Sequence, residues 1–291
     1  MSETAKRIAS AAVALPVYLY AFVTDQFQYI PILIVSMIIS LGCLWEYYQI
    51  AGRDENRRPF LAAGMIMGAL VNVAMYLYAF GKVLGYTSYI PAFDVRLLLA
   101  LCALAMVALV TVQIFRRPIE GGMYSLAVTV FGVVFMVFSF SHIILLKSLR
   151  DGVWYILIIN AAVMLNDTFA YFGGVNFGRH KAGIAVSPNK SWEGYFSGLL
   201  GTVLGILLFS QGIEAFAGRE LFSMVEATFL GIALSVLGNI GDLAESAIKR
   251  DGAIKDSGSL IPGHGGLWDV FDSLIVTMPL FYYYLVLKGV Q

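Results

Sequence analysis

The chain has 291 residues, 59% of them hydrophobic and 13% charged, whereas soluble domains are roughly 45–50% apolar and about 25% charged. Lysine plus arginine balances aspartate plus glutamate at 19 each, so there is no global basic field of the kind that draws a protein to nucleic acid, and no nucleic-acid partner is expected. Cys43 and Cys102 each sit inside an apolar stretch and read as small buried side chains.

A helix needs about 20 apolar residues to cross a hydrocarbon layer about 30 Å thick. Nine such spans follow in chain order, at roughly Ile8 to Val23, Tyr29 to Tyr48, Leu61 to Phe80, Leu97 to Phe115, Leu126 to Leu146, Val153 to Phe172, Tyr195 to Phe209, Leu221 to Leu237 and Leu267 to Val286. The expected fold class is all-α, a polytopic membrane helix bundle of about nine transmembrane helices. Residues 1–150 supply five N-terminal spans, and 151–291 supply the C-terminal spans with two polar loops, the whole making one integral membrane domain. The first run follows Lys6 and Arg7 as a secretory signal would. It ends in Thr24, Asp25 and Gln26 without a small-x-small cleavage pair, so it reads as an uncleaved helix kinked near Pro16.

Basic residues are retained on the cytoplasmic side. A cytoplasmic N-terminus places thirteen of the 19 lysines and arginines inside and leaves Lys82, Arg96, Lys147, Arg150, Arg219 and Lys288 outside. The same topology makes Gly173 to Gly194 and Gly238 to Gly266 cytoplasmic loops, facing the nucleotide pool. Between them the seventh span carries Gly194, Gly198, Gly201 and Gly205, a doubled G-x-x-x-G spacing that reads as close helix packing.

From Gly238 the chain runs GNIGDLAESAIKRDGAIKDSGSLIPGHGGLWDVFDS. Carboxylates beside a bilayer are costly to desolvate, so they pair or face water. With a helix starting near Asp242, residues Asp242, Glu245 and Lys249 share one face, because positions three or four apart are neighbours on a helix. Asp269 and Asp272 repeat the i, i+3 spacing at the start of the last span. Carboxylates from two helices suit a hard divalent cation such as Mg²⁺, which binds a few protein oxygens and completes its shell with water and phosphates. Lys249, Arg250 and Lys255 would then neutralise phosphate oxygens. The competing reading is a solvated amphipathic loop that anchors to anionic headgroups. The G-H-G-G turn from Gly263 through His264 and Gly265 to Gly266, where bare backbone can approach a phosphate, favours chemistry.

The run Ser246 to Asp272 resembles the phosphatidate cytidylyltransferase signature S-x-I-K-R, four residues, K-D, then P-x-H-G-G-x-x-D-R-x-D. Ser246, Lys249, Arg250, Lys255, Asp256, Pro262, His264, Gly265, Gly266, Asp269 and Asp272 occupy their places, and Val270 stands where the pattern has arginine. Asn166-Asp167-Thr168 and the segment Ser187-Pro188-Asn189-Lys190-Ser191-Trp192-Glu193-Gly194 are similar to the family's other motifs. Ser187, Asn189 and Lys190 offer hydroxyl, amide and ammonium groups to phosphates or a cytosine edge. The alternative for this stretch is helix capping by Ser191, with Trp192 and Glu193 in the first turn. Asp167 and, with less support, Glu46 are lone carboxylates near span ends that need a cation or a cavity.

The resemblance is specific over the C-terminal half; the first 150 residues match only as hydrophobic helices. It implies a cytoplasm-facing polar cavity open sideways to lipid and a metal centre on Asp242 and Asp269. It also implies a Mg²⁺ requirement with K⁺ as a second cation, and homodimers in the cell's inner membrane. The expected reaction is CTP plus phosphatidate giving CDP-diacylglycerol plus pyrophosphate. Asp242, Asp269, Asp272 and Glu245 are expected around metal, Lys249 and Asp256 at the reacting groups, and Ser187, Asn189, Lys190, Arg250, Lys255, His264, Gly265, Gly266 and Asp167 around substrate. Rival readings are a CTP-dependent lipid kinase, a cytidylyltransferase for another lipid phosphate and, from another class, an ion or solute transporter.

Overall fold

The computed structural model describes residues 12, 15–53, 57–85, 95–261, 263 and 265–290. The helices are α1 (15–23), α2 (Ile30–Ala51), α3 (Leu61–Phe80), α4 (Val95–Arg116), α5 (Gly122–Ser148), α6 (Gly152–Phe177), α7 (Trp192–Ala217), α8 (Met224–Asp251) and α9 (Trp268–Leu287). No strand occurs among the described residues, only two isolated bridges, Lys181 with Ser191 and Ile261 with Gly265. Among the described residues seven helices, α2, α3 and α5 to α9, are long and apolar enough to cross a membrane, so the protein is an all-α, multi-pass membrane bundle. The start of the expected first span, with Lys6 and Arg7, lies outside the described residues.

The chain groups into two compact units, Met1–Leu149 with Asp251–Val270, and Arg150–Arg250 with Phe271–Gln291. In the first unit, lipid supplies no hydrophobic drive between helices, so small and polar residues do the joining. Ser36 on α2 donates to Asn72 Oδ1 on α3 at 2.6 Å, and Asn72 Nδ2 donates to Ser40 Oγ at 3.0 Å and Gly68 O at 3.1 Å. All three side chains are fully buried. Tyr48 passes over Gly64 to donate to Thr129 O on α5 at 2.7 Å; a Cβ at Gly64 would lie 2.1 Å from its hydroxyl. Thr129 Oγ1 in turn accepts the Phe60 amide at 2.8 Å, just before α3.

In the second unit α6 and α7 are pressed together along the glycine spacing. A Cβ at Gly198 would lie 2.9 Å from Asn166 O, one at Gly201 2.4 Å from the Phe169 ring, and one at Gly205 2.1 Å from Leu165 Cδ1. Gly231 brings α8 as close to Val203 on α7. At its start α8 has a capping box, in which Ser223 Oγ accepts the Glu226 amide and Glu226 Oε2 accepts the Ser223 amide, both at 3.3 Å.

One expected boundary changes. The eighth span does not end near Leu237 for a separate helix to start near Asp242; α8 runs unbroken from Met224 to Asp251. A single glycine costs a helix only about 1 kcal/mol relative to alanine. Here Gly241 is needed for contact, since a Cβ would meet Asp272 O and Ser273 Cα at 2.7 Å each. The second polar loop is correspondingly short, 252–267, and the first is cut to 178–191 because α6 runs to Phe177 and α7 begins at Trp192.

Candidate functional site

Continuity of α8 carries Asp242, Glu245 and Lys249 down one helical face, and α9 meets that face where Gly241 lets the backbones touch. Oxygens of Asp242, Glu245 and Asp272 lie within 4.8 Å of one another. Glu245 is only 3% exposed. Lys249 pairs with it at 2.7 Å from the next turn, and Lys190, on the loop before α7, pairs with Asp242 Oδ2.

Lys190 is held by its own loop. Ala182 N donates to Lys190 O at 2.9 Å, Lys190 N to Ser187 O at 3.2 Å, and Lys181 Nζ to Asn189 O at 3.0 Å. The loop is closed at its base by Glu193, which accepts the His180 amide at 3.2 Å and contacts the His180 ring at 2.5 Å. Ser191 caps α7 by accepting the Gly194 amide at 3.2 Å. The Lys190 ammonium also stands 5.5 Å from the centre of the Tyr195 ring. Burial lowers the Lys190 pKa from its ordinary value, while Asp167, Asp272 and Glu245 act in the opposite sense.

Asp167 on α6 is within electrostatic reach of Lys190. Its neighbour Asn166 links α6 to α8 through side chains: Ser235 donates to Asn166 Oδ1 at 2.7 Å, and Asn166 Nδ2 donates to Asn239 Oδ1 at 3.3 Å and to Asp167 Oδ1 at 3.4 Å. Ser235 and Asn239 were not singled out from the sequence. Their signal is faint, two polar residues one turn apart inside an apolar run.

The first unit holds Asp269, Gly265, Gly266, Lys255 and Asp256 of the expected residues. Asp269 accepts the Ser257 amide at 2.9 Å, the Ser257 hydroxyl at 3.0 Å and the Gly266 amide at 2.7 Å. Gly265, at φ +94°, has no room for a side chain, since a Cβ would sit 2.5 Å from Asp269 Oδ2. Lys255 and Asp256 are exposed on this turn, and Arg250 is exposed at the end of α8 in the second unit. Ser187 and Asn189 are on the Lys190 loop, half-buried and exposed respectively. Pro262 and His264 lie outside the described residues. Glu46, weighed lightly from the sequence, is fully buried and accepts from Ser257 Oγ, Leu267 N and Trp268 N, each at 2.9 Å.

Three carboxylates with two ammonium groups fit a hard cation that carries phosphates. Oxygen donors are its preferred ligands, and the lysines offset the charge that would otherwise accumulate. The group includes Asp242, Glu245 and Asp272 of the four expected ligands; the fourth, Asp269, has its carboxylate engaged by the turn in the first unit.

A family model described as the cytidylyltransferase family matches residues 5–288. The chain is 32% identical over 281 residues to a phosphatidate cytidylyltransferase of Pseudomonas aeruginosa, covering 95% of this chain and 94% of that one. It is 37% identical over 155 residues to a phosphatidate cytidylyltransferase of Staphylococcus epidermidis, covering 53% and 55%, and 44% identical over 140 residues to the chloroplastic phosphatidate cytidylyltransferase 5 of Arabidopsis thaliana, covering 48% and 33%. The matched stretch thus spans about half the staphylococcal relative and a third of the plant one.

Proposed function

The chain belongs to the cytidylyltransferase family, and on that premise we propose that it transfers the cytidylyl group of CTP to phosphatidate, giving CDP-diacylglycerol and pyrophosphate. The observation that carries the reading is the gathering of Asp242, Glu245 and Asp272 with Lys190 and Lys249 at the junction of α8 and α9. Relatives named phosphatidate cytidylyltransferase support the choice of substrates.

In the proposed reaction a phosphate oxygen of phosphatidate forms a bond to the α-phosphorus of CTP. The bond from that phosphorus to the bridging oxygen breaks, and pyrophosphate leaves with the electron pair. The attacking phosphate is already anionic, so no general base is assigned; the residues' work is positioning and charge neutralisation. Asp242, Glu245 and Asp272 would hold Mg²⁺, which would offset charge on the triphosphate. Lys190 and Lys249 place their ammonium groups against the same carboxylate cluster and would turn toward phosphate oxygens when CTP binds. Arg250, Lys255 and the Gly265–Gly266 backbone are assigned to phosphate binding on the resemblance alone. A cytoplasmic site opening to lipid, the inner membrane, K⁺ as second cation and a homodimer belong to the same reading.

Purified protein given radiolabelled CTP, phosphatidate and Mg²⁺ should produce labelled lipid and pyrophosphate in equal amounts. Release of CDP with a phosphorylated lipid would replace this reading with a lipid kinase, and solute flux into liposomes without CTP would replace it with a transporter.

A further inference from the structure

The signature turn of the first unit is built around a carboxylate that comes from far away in the chain. Glu46 on α2 lies 211 positions before Ser257 and is 0% exposed. Its Oε1 accepts the Leu267 amide, and its Oε2 accepts the Trp268 amide and the Ser257 hydroxyl. Leu267 and Trp268 open α9, where helix amides have no partner within the helix and an anion is favoured by the helix dipole. Asp269 serves a different set of donors, the amides of Ser257 and Gly266. The two carboxylates therefore divide the turn between them and meet at one hydroxyl, which lies 2.9 Å from Glu46 Oε2 and 3.0 Å from Asp269 Oδ2. A hydroxyl has a single proton, so it can donate to only one of them at a time.

The backbone is wrapped too tightly around Glu46 for side chains. A Cβ at Gly258 would lie 2.5 Å from Glu46 Oε1, and one at Gly266 would lie 2.2 Å from Ser257 Oγ and 2.4 Å from Glu46 Oε2. The Ser257 hydroxyl and the Leu267 and Trp268 amides are all donors to this carboxylate, and an amide in its place would turn an NH₂ group toward an N–H or O–H. A buried charge is costly unless hydrogen-bonded on this scale, which makes an anion a poor choice for packing alone and a good one for fixing backbone donors.

We propose that Glu46 is a positioning residue for the proposed reaction, through which the N-terminal half of the chain shapes the turn from Ser257 to Asp269 for binding CTP phosphates. The proposal rests on the cytidylyltransferase reading and adds to it a residue outside the signature.

The test compares the full-length wild type, Glu46→Gln and Tyr48→Phe in detergent with phosphatidate and Mg²⁺. Tyr48 is on the same helix and bonds Thr129 O instead of the turn, so its variant reports general loosening of α2. Four quantities are read: kcat, KM for CTP, the melting temperature, and deuterium uptake by peptides covering 257–269. Glu46→Gln should raise KM for CTP roughly tenfold or more, the scale of a small misplacement of binding groups, and should speed exchange in the turn. Tyr48→Phe should change neither, whatever its melting temperature. An active wild type beside a Glu46→Gln variant with unchanged KM and unchanged exchange overturns the proposal, as does a Tyr48→Phe variant showing the same two changes. A wild type that makes no CDP-lipid overturns the reading of the preceding subsection and the catalytic part of this one together.

Discussion

Lys190, from the loop before α7, forms an ion pair with Asp242 in the middle of α8, 52 positions later in the chain. The pair puts a tethered cation on the carboxylate assigned to metal, so ammonium and metal compete for one oxygen. Lys190→Met should therefore bind Mn²⁺ more tightly, read by the loss of the free-ion signal in electron paramagnetic resonance, while KM for CTP rises. Tighter CTP binding in that variant would remove Lys190 from the phosphate site.

Asp242→Asn should lower turnover at least about a hundredfold, equivalent to about 2.7 kcal/mol, as followed by pyrophosphate release. Chelation of Mg²⁺ should do the same to the wild type, with recovery on adding it back. Activity that survives both treatments would mean that the three carboxylates hold no catalytic ion.

The two aspartates of α9 should behave differently. Asp269 accepts backbone amides of Ser257 and Gly266, and Asp269→Asn turns an NH₂ group toward them. It should cost about 1–3 kcal/mol of stability, visible as a lower melting temperature, and abolish product formation. Asp272→Asn, whose oxygens belong to the carboxylate group with Asp242 and Glu245 and accept the adjacent Ser273 amide, should weaken Mn²⁺ binding with a smaller fall in melting temperature than Asp269→Asn. Equal thermal shifts in both variants would contradict the difference.

Two glycines on α7 make a matched pair. Gly198→Ala places a methyl 2.9 Å from Asn166 O and should destabilise by about 1–3 kcal/mol through overpacking. Gly212→Ala meets nothing within 4 Å and should be neutral or stabilising by up to about 1 kcal/mol. Thermal denaturation in one detergent compares them directly.

Val270, where the family pattern has arginine, is 39% exposed. Val270→Arg should fold and keep turnover within roughly a factor of two, the scale of a surface substitution. A gain beyond about tenfold in the lipid-product assay would show that a missing cation limits this enzyme.

Much of this architecture is legible in the chain itself. The third helix, expected at Leu61 to Phe80, occupies those residues, because a long apolar run between Pro59 and Gly81 has only one way to cross a bilayer. The glycine spacing of the seventh span was readable as packing for a similar reason, since its periodicity is that of one helix face. What escaped was the continuity of the eighth helix through Asp242: a glycine such as Gly241 does not say in the sequence whether it ends a helix or admits a neighbouring backbone, and here it admits Asp272 and Ser273. Glu46 escaped its proper weight because its partners lie more than 200 positions away. A periodic pattern reports a face of a helix, never which distant turn that face will meet.

The seam between α6 and α7 also limits where a fatty acid tail can go. Where Gly198, Gly201 and Gly205 leave no space even for a methyl group against Asn166, Phe169 and Leu165, a hydrocarbon chain cannot thread between those two helices. Any diacylated molecule must reach the carboxylates of this unit by another side, so mapping its entry by photocrosslinking should leave that one crevice unlabelled.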